Sequence, residues 1–294
     1  MIESKSIHLK LIRFLIYTLL IILVLSCFLP LLYTLAVSLS AKSAVAAGKV
    51  AFWPVDFTTY SYHEIMKDVR FFGAFWTSIK RVVVAMVLSL MTMISAAYPL
   101  SKTKHEFAAR NYILWLLVFC MIFSGGLIPW YIVMKTYKFT NNVFGLALGG
   151  GIPVFNLILV VNFFQTVPAE LEEAAKVDGA GPWYVLFRVF VPLSKPVLAT
   201  VTLFTIVGHW NEFFQGLVLS SNAEHYPLQT YIKQLIVVID TSKMTEDQYK
   251  TMELLSNTSL NAAKIFISMI PILCIYPLLQ RYFVTGIMLG GVKE

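Results

Sequence analysis

Residues 14–41 read FLIYTLLIILVLSCFLPLLYTLAVSLSA, 28 positions without a single Asp, Glu, Lys or Arg. As a helix this stretch would rise about 42 Å at 1.5 Å per residue, more than the roughly 30 Å of a bilayer's hydrocarbon core. Lys5, Lys10 and Arg13 precede it, as basic residues precede a secretory signal. The run is nevertheless too long for a signal's apolar region of about 7–15 residues, so it reads as a membrane span. The rest of the chain fits this start: 58% of the 294 residues are hydrophobic and only 13% charged, against roughly 45–50% and 25% in soluble domains. An ordinary water-soluble globule is excluded.

Working outward, further apolar blocks occupy residues 76–100, 112–134, 143–164, 193–219 and 265–279 with its flanks. The expectation is an all-α integral membrane protein with six spans. Lys264 and Arg281 can snorkel to the headgroups and complete the short last block. An even number of spans puts both termini on one side. Basic residues close to the membrane at the N-terminus and in the turn Lys102, Lys104, Arg110 outweigh Lys135 and Lys138 on the other face, which predicts cytoplasmic termini. The outer loops then include residues 38–75, rich in Trp53, Phe57, Tyr60, Tyr62, Phe71 and Phe72, and residues 220–263, with Asp240, Lys243, Glu246, Asp247, Lys250 and Glu253. The first suits the headgroup region and the second suits water.

The formal charge of +7 comes from residues scattered at segment edges, with no basic run to track phosphates, so nucleic acid is not an expected partner. Cys27, Cys120 and Cys274 each sit in an apolar block without CxxC spacing or a neighbouring His and read as small hydrophobes; no metal is expected. No GxxxxGK-[ST], HExxH or GxSxG pattern occurs, so no nucleotide-phosphate cradle or catalytic constellation is expected in this chain. Asn257-Thr258-Ser259 fits a glycosylation sequon by chance as readily as by design.

Two polar features stand out within this apolar background. Gly145, Gly149, Gly150, Gly151 and Pro153 predict a helix that is either broken or closely packed, Gly145 and Gly149 forming a GxxxG pair. Asn156, Asn162 and Gln165 should face protein or a pathway rather than lipid, and Trp210, Asn211 and Glu212 are further candidates for lining that pathway. Glu212 lies about 26 Å along the fifth span counted from Lys195, which places it near the outer interface.

Residues 168–182 read PAELEEAAKVDGAGP. Pro168 fits the start of a helix, Glu170, Glu172 and Glu173 complement its positive dipole end, and Gly179, Gly181 and Pro182 stop it. About 11 residues is too short to persist alone in water, so packing must hold this helix. Leu171, Ala174, Ala175 and Asp178 form one face of mostly small side chains, suited to close approach by another protein. Trp183 to Val191 follows as an apolar bracket along the membrane surface.

Glu173-Ala174-Ala175, Asp178-Gly179-Ala180, then Trp183, Phe187, Val189 and Pro192 resemble the EAA loop of permease subunits of binding-protein-dependent ABC importers. Phe155-Asn156, Asn162-Phe163-Phe164, Trp210-Asn211-Glu212-Phe213, Tyr226-Pro227-Leu228-Gln229-Thr230 and the closing stretch from Gln280 to Lys293 extend the resemblance to the carbohydrate-uptake branch, the MalG-like and LplC-like permeases. It covers roughly residue 78 to the C-terminus. It implies a division into residues 1–75 (tail, first span, outer loop) and a five-helix core over 76–294, with the EAA loop at 166–192 and a cytoplasmic tail at 283–294. It further implies a bacterial inner-membrane subunit that imports a sugar, an oligosaccharide by preference, together with a second homologous permease, an extracellular sugar-binding protein and a dimeric ATPase that carries ATP and Mg. This chain itself would bind no cofactor. Glu172, Glu173, Ala174, Ala175, Asp178, Gly179 and Ala180 would couple to the ATPase. An amino-acid or peptide permease would share the EAA core but not the tail; a secondary transporter or channel would call for inverted repeats and paired intramembrane charges.

Overall fold

The computed structural model describes residues 7–236 and 258–290. The acidic outer-loop residues 240–253, Asn257 of the sequon and residues 291–294 lie outside this range. Among the described residues the fold is almost wholly helical, with no strand beyond a single Ser40–Phe57 bridge.

Among the described residues three helices are long and apolar enough to cross a bilayer: α1 (Ile7–Ser38), α4 (Val69–Ser101) and α15 (Thr258–Gly290). Between α1 and α4 lie the short α2 (Lys42–Ala46) and α3 (Tyr60–Lys67). The remaining apolar blocks are not single rods. The third is α5 (Arg110–Ile122) and α6 (Leu127–Thr136), bent by 112°. The fourth is α7 (Val143–Leu148) and α8 (Val154–Phe164), followed by α9 (Ala169–Val177). The fifth begins with α10 (Pro182–Val185), a π-helical turn (Leu186–Phe190) and α11 (Val191–Leu193). It continues through α12 (Lys195–Asn211) and α13 (Phe214–Leu219), and α14 (Leu228–Ile236) comes after it. Counting the three bent pairs among the described residues, α5 with α6, α8 with α9 (74°), and α10–α11 with α12 (82°), as one span each gives up to six. Of the two readings left open for the glycines 149–151, broken or closely packed, the chain is broken there; the breaks at 123–126 and 212–213, where the apolar run continues through the bend, were not expected.

Two units can be described. The first comprises residues 1–69 and 234–269. In it Ala36, Val37, Ala44, Val50 and Ala262 form a small core, Ser38 and Tyr62 share a 2.7 Å hydrogen bond, and Lys264 donates to Asp68 at 2.6 Å. Side chains of α1 from Lys10 to Leu29 are exposed on every side, an arrangement that an apolar solvent permits.

The second unit comprises residues 70–233 and 270–294. Its core gathers Met93, Ala97 and Leu100 of α4, Leu157, Val160, Val161 and Phe164 of α8, Val185, Leu186 and Phe190 of the bracket, and Val197 and Val201 of α12. The bracket is therefore half core and half surface: Trp183 and Phe187, ring-stacked at 6.2 Å, stay exposed while their neighbours are buried. Along α4 the buried face carries Ala74, Ser78, Ala85, Ser89 and Ala97 at helical spacing, and the exposed face carries Trp76, Val83, Val87 and Met91. Small residues on the protein side allow close helix approach where lipid offers no hydrophobic incentive to associate.

Two glycines are fixed by close approach. A Cβ on Gly145 would meet the Phe139 carbonyl oxygen at 1.9 Å, and one on Gly216 would meet Thr230 Oγ1 at 2.1 Å. Gly145→Ala should therefore destabilise the solubilised protein by about 1–3 kcal/mol, because the obstacle is backbone and cannot swing aside. Gly73→Ala, with open space around its Cβ, should be neutral or slightly stabilising. Thermal unfolding of the two variants side by side checks this.

Candidate functional site: an anchored helix and a cavity at the helix bends

The EAA segment forms α9. Pro168 is the residue that precedes the helix rather than its first residue, and the helix is 9 residues long, shorter than its start and stop residues suggest. Its end explains the Asp-Gly-Ala triplet. Gly179 sits at φ +78°, the left-handed region that glycine enters freely. The Gly179 N–H donates to Lys176 O at 3.0 Å and the Ala180 N–H to Ala175 O at 2.9 Å. This is the Schellman arrangement, whose usual apolar contact between the third-last and second-following residues is made by Ala175 and Ala180, both against the core.

The acids of α9 divide. Glu173 is exposed, as are Ala174, Asp178 and Gly179. Glu172 instead turns inward, 8% exposed. There it pairs with Lys102, which lies immediately beyond α4, and with Lys176 at 2.9 Å, and it accepts from the Tyr98 hydroxyl at 3.3 Å. Lys102 also stands over the rings of Tyr98 and Phe190 at 4.1 and 4.7 Å, a cation–π setting. Burial pushes the Glu172 carboxyl up, but the hydrogen bonds and charges of Lys102 and Lys176 together outweigh it and hold the group below its ordinary 4.5. The hydrogen bond to Glu172 likewise holds Lys176 above its usual value. Beside the exposed face of α9 lies a hollow of about 380 Å³ lined by Ala175, Asp178, Gly179, Ala180, Gly181 and Tyr184.

A second charged cluster was not legible as a site. Arg81 sits twelve residues into α4, its side chain 0% exposed. Its Nη1 donates to the Glu212 carbonyl at 2.9 Å, and its Nη2 donates to Glu212 Oε2 at 2.8 Å and Gln215 Oε1 at 2.6 Å. The Gln215 N–H, at the start of α13, donates to Glu212 Oε1 at 2.9 Å. From sequence Arg81 reads as one of the basic residues at a span edge. The signal that identifies it is its place, seven residues after Ala74 and four before Ala85, in the stripe of small residues that α4 turns toward protein.

Glu212 and Gln215 line a cavity of about 800 Å³ together with Phe123, Ser124, Gly126 and Trp130 of the α5–α6 bend, and with Cys120. Trp130 Nε1 donates to the Gly149 carbonyl at 2.8 Å. The other residues expected along a substrate path lie elsewhere. Asn156 is buried, Trp210 is buried edge-on against Phe75 at 5.7 Å, and Asn162 and Asn211 are exposed.

Comparison with known proteins identifies this architecture. Residues 71–289 match the family described as binding-protein-dependent transport system inner membrane component. Protein LplC of Bacillus subtilis (strain 168) is 37% identical over 265 residues, covering 90% of this chain and 89% of that protein. The polygalacturonan/rhamnogalacturonan transport system permease protein YtcP of the same organism is 30% identical, covering 97% and 99%. Among solved structures, a chain of a bacterial ABC transporter involved in the import of the acidic polysaccharide alginate superposes with a TM-score of 0.85 at 32% identity, covering 95% of this chain and 99% of that one. The chain belongs to the family of ABC-transporter permease subunits.

Replacing Glu172 by Ala leaves the Lys102 ammonium without its partner among aromatic rings and should lower the local stability of α9 by about 1–3 kcal/mol. Glu173→Ala should change it little. Because the Glu172 value is depressed on folding, its contribution is complete above the ordinary 4.5 and is lost as pH falls below that through the native value. Hydrogen exchange of the α9 amides, corrected for intrinsic rate, should show protection at pH 7 that declines at pH 4 in the wild type and is already low in Glu172→Ala.

Proposed function

We propose that this chain is the six-span permease subunit of a bacterial importer, in which α9 is the coupling helix that receives motion from a separate ATPase and the substrate is a sugar, an oligosaccharide by preference. The observation that carries the reading is the division of α9. One face is anchored into the permease core by Glu172 and Lys102, while Glu173, Ala174, Asp178 and Gly179 are left open. A helix of 9 residues cannot hold its shape in water unaided, so one that is both anchored and exposed is suited to transmitting force from a partner.

The sugar class is supported by relatives named for maltodextrin, diacetylchitobiose and polygalacturonan/rhamnogalacturonan transport. The family's dependence on a binding protein supports an extracellular sugar-binding protein as partner. The absence of a phosphate-cradling motif from the sequence is in keeping with ATP and its Mg being carried by the partner subunit. On this reading both termini and α9 face the cytoplasm, a second homologous permease completes the pathway, and residues 76–294 form the core, with its tail from residue 283 approaching the ATPase. That tail begins as helix, since α15 runs to Gly290.

Affinity purification of the tagged chain from its native membrane in mild detergent tests this. A nucleotide-binding subunit and a second permease should co-purify. Gly179→Trp, which forces a bulky side chain to φ +78°, and Glu173→Lys should lose the nucleotide-binding subunit while retaining the second permease. Recovery of the chain alone would refute the assignment.

A further inference from the structure

The relatives named for polygalacturonan/rhamnogalacturonan and for alginate make the charge of the sugar the property that the cavity must decide. Its volume, about 800 Å³, lies within the roughly 300–1,000 Å³ of small-molecule sites. Its wall combines aromatic surface from Phe123 and Trp130 with polar groups from Ser124, Glu212 and Gln215, the mixture that a ring bearing hydroxyls requires.

The order of charges across that wall is the decisive feature. Glu212 reaches the cavity with 27% of its side chain exposed, whereas Arg81, its counter-ion, is 0% exposed and stands behind it. A carboxylate on a bound sugar would therefore meet the Glu212 carboxylate first, while both Nη atoms of the guanidinium that could receive it are hydrogen-bonded to Glu212 and Gln215 and its unpaired Nε is buried out of reach. Like charges at a few ångströms repel. Sugar hydroxyls can instead donate to the carboxylate oxygens, and charge-assisted hydrogen bonds of this kind are the stronger ones.

Resting on the import reading above, we infer that the cavity between the α5–α6 and α12–α13 bends is a saccharide site that accepts neutral, hydroxyl-rich sugars and rejects uronates. The Arg81–Glu212 pair sets this preference.

Cys120 lines the cavity and its thiol is free, as are those of Cys27 and Cys274, which do not line it. The assembled complex, purified with its partner subunits but without binding protein, is labelled with a maleimide. Labelling of each cysteine peptide is followed by mass spectrometry, with Cys27 and Cys274 as internal references. The probes are trigalacturonate and its fully methyl-esterified form, which differ in charge and little else. The ester should slow labelling at Cys120 alone, and the acid should bind at least about tenfold more weakly, a difference of about 1.4 kcal/mol. Equal or better protection by the acid would overturn the charge preference. No protection by either would overturn the cavity as a saccharide site, and neither result touches the import reading, which stands or falls on co-purification of the ATPase subunit. In the double variant Arg81→Gln/Glu212→Gln, which removes both charges so that neither is left buried and unpaired, the acid should protect as well as the ester.

Discussion

Within hydrocarbon a peptide group has no water to bond, so each helix break must be satisfied by the protein itself. This constraint accounts for the polar side chains that interrupt the apolar blocks. Where α12 stops at Asn211, the freed Glu212 carbonyl accepts from Arg81, and the Glu212 carboxylate then accepts the N–H of Gln215 at the start of α13. Where α7 stops before Gly149, the Gly149 carbonyl accepts from the Trp130 indole. At the other end of α7, Asn142 accepts from the Phe144 N–H at 2.9 Å. Each break thus draws one specific polar group to it, and two of these breaks, together with the bend at residues 123–126, wall the cavity. The cavity is a consequence of broken helices, and the breaks are tolerated because Arg81 and Trp130 complete them.

The same logic explains what could be read from the sequence. Spans were legible because hydrocarbon thickness imposes length and apolarity on residues close together in the chain. The end of α9 was legible because Gly179 and Ala180 act locally through a Schellman turn. The bends at 123–126 and 212–213 were not, since nothing local distinguishes an apolar run that continues from one that turns; what permits the turn is a donor far away, 131 residues away for Arg81 and Glu212. Glu172 and Glu173 are indistinguishable by composition, yet one is buried and one exposed, because helix rotation is set by the Lys102 and Phe190 environment rather than by the acids themselves. Glu212 was legible as an anomaly, but its role required knowing that Arg81 lies behind it.

These two ion pairs also share an element. Lys102 follows the last residue of α4 and Arg81 lies within it, 21 residues earlier, which is about 32 Å along a helix. One pair fastens the exposed EAA helix to the C-terminal end of α4, and the other fastens the α12–α13 bend to a point twelve residues in from its N-terminal end. An α-helix resists compression along its axis because its hydrogen bonds run parallel to it, and the small-residue face of α4 keeps it closely seated in the second unit. Two charged contacts and the length of α4 between them, which includes Pro99, therefore connect α9 to the wall of the cavity. Either contact made by hydrophobic packing alone would slide; a charge pair with low exposure has a definite partner and a steep cost of separation. The placement of scarce charge at two points along one helix thus ties the EAA helix and the α12–α13 bend to the same element.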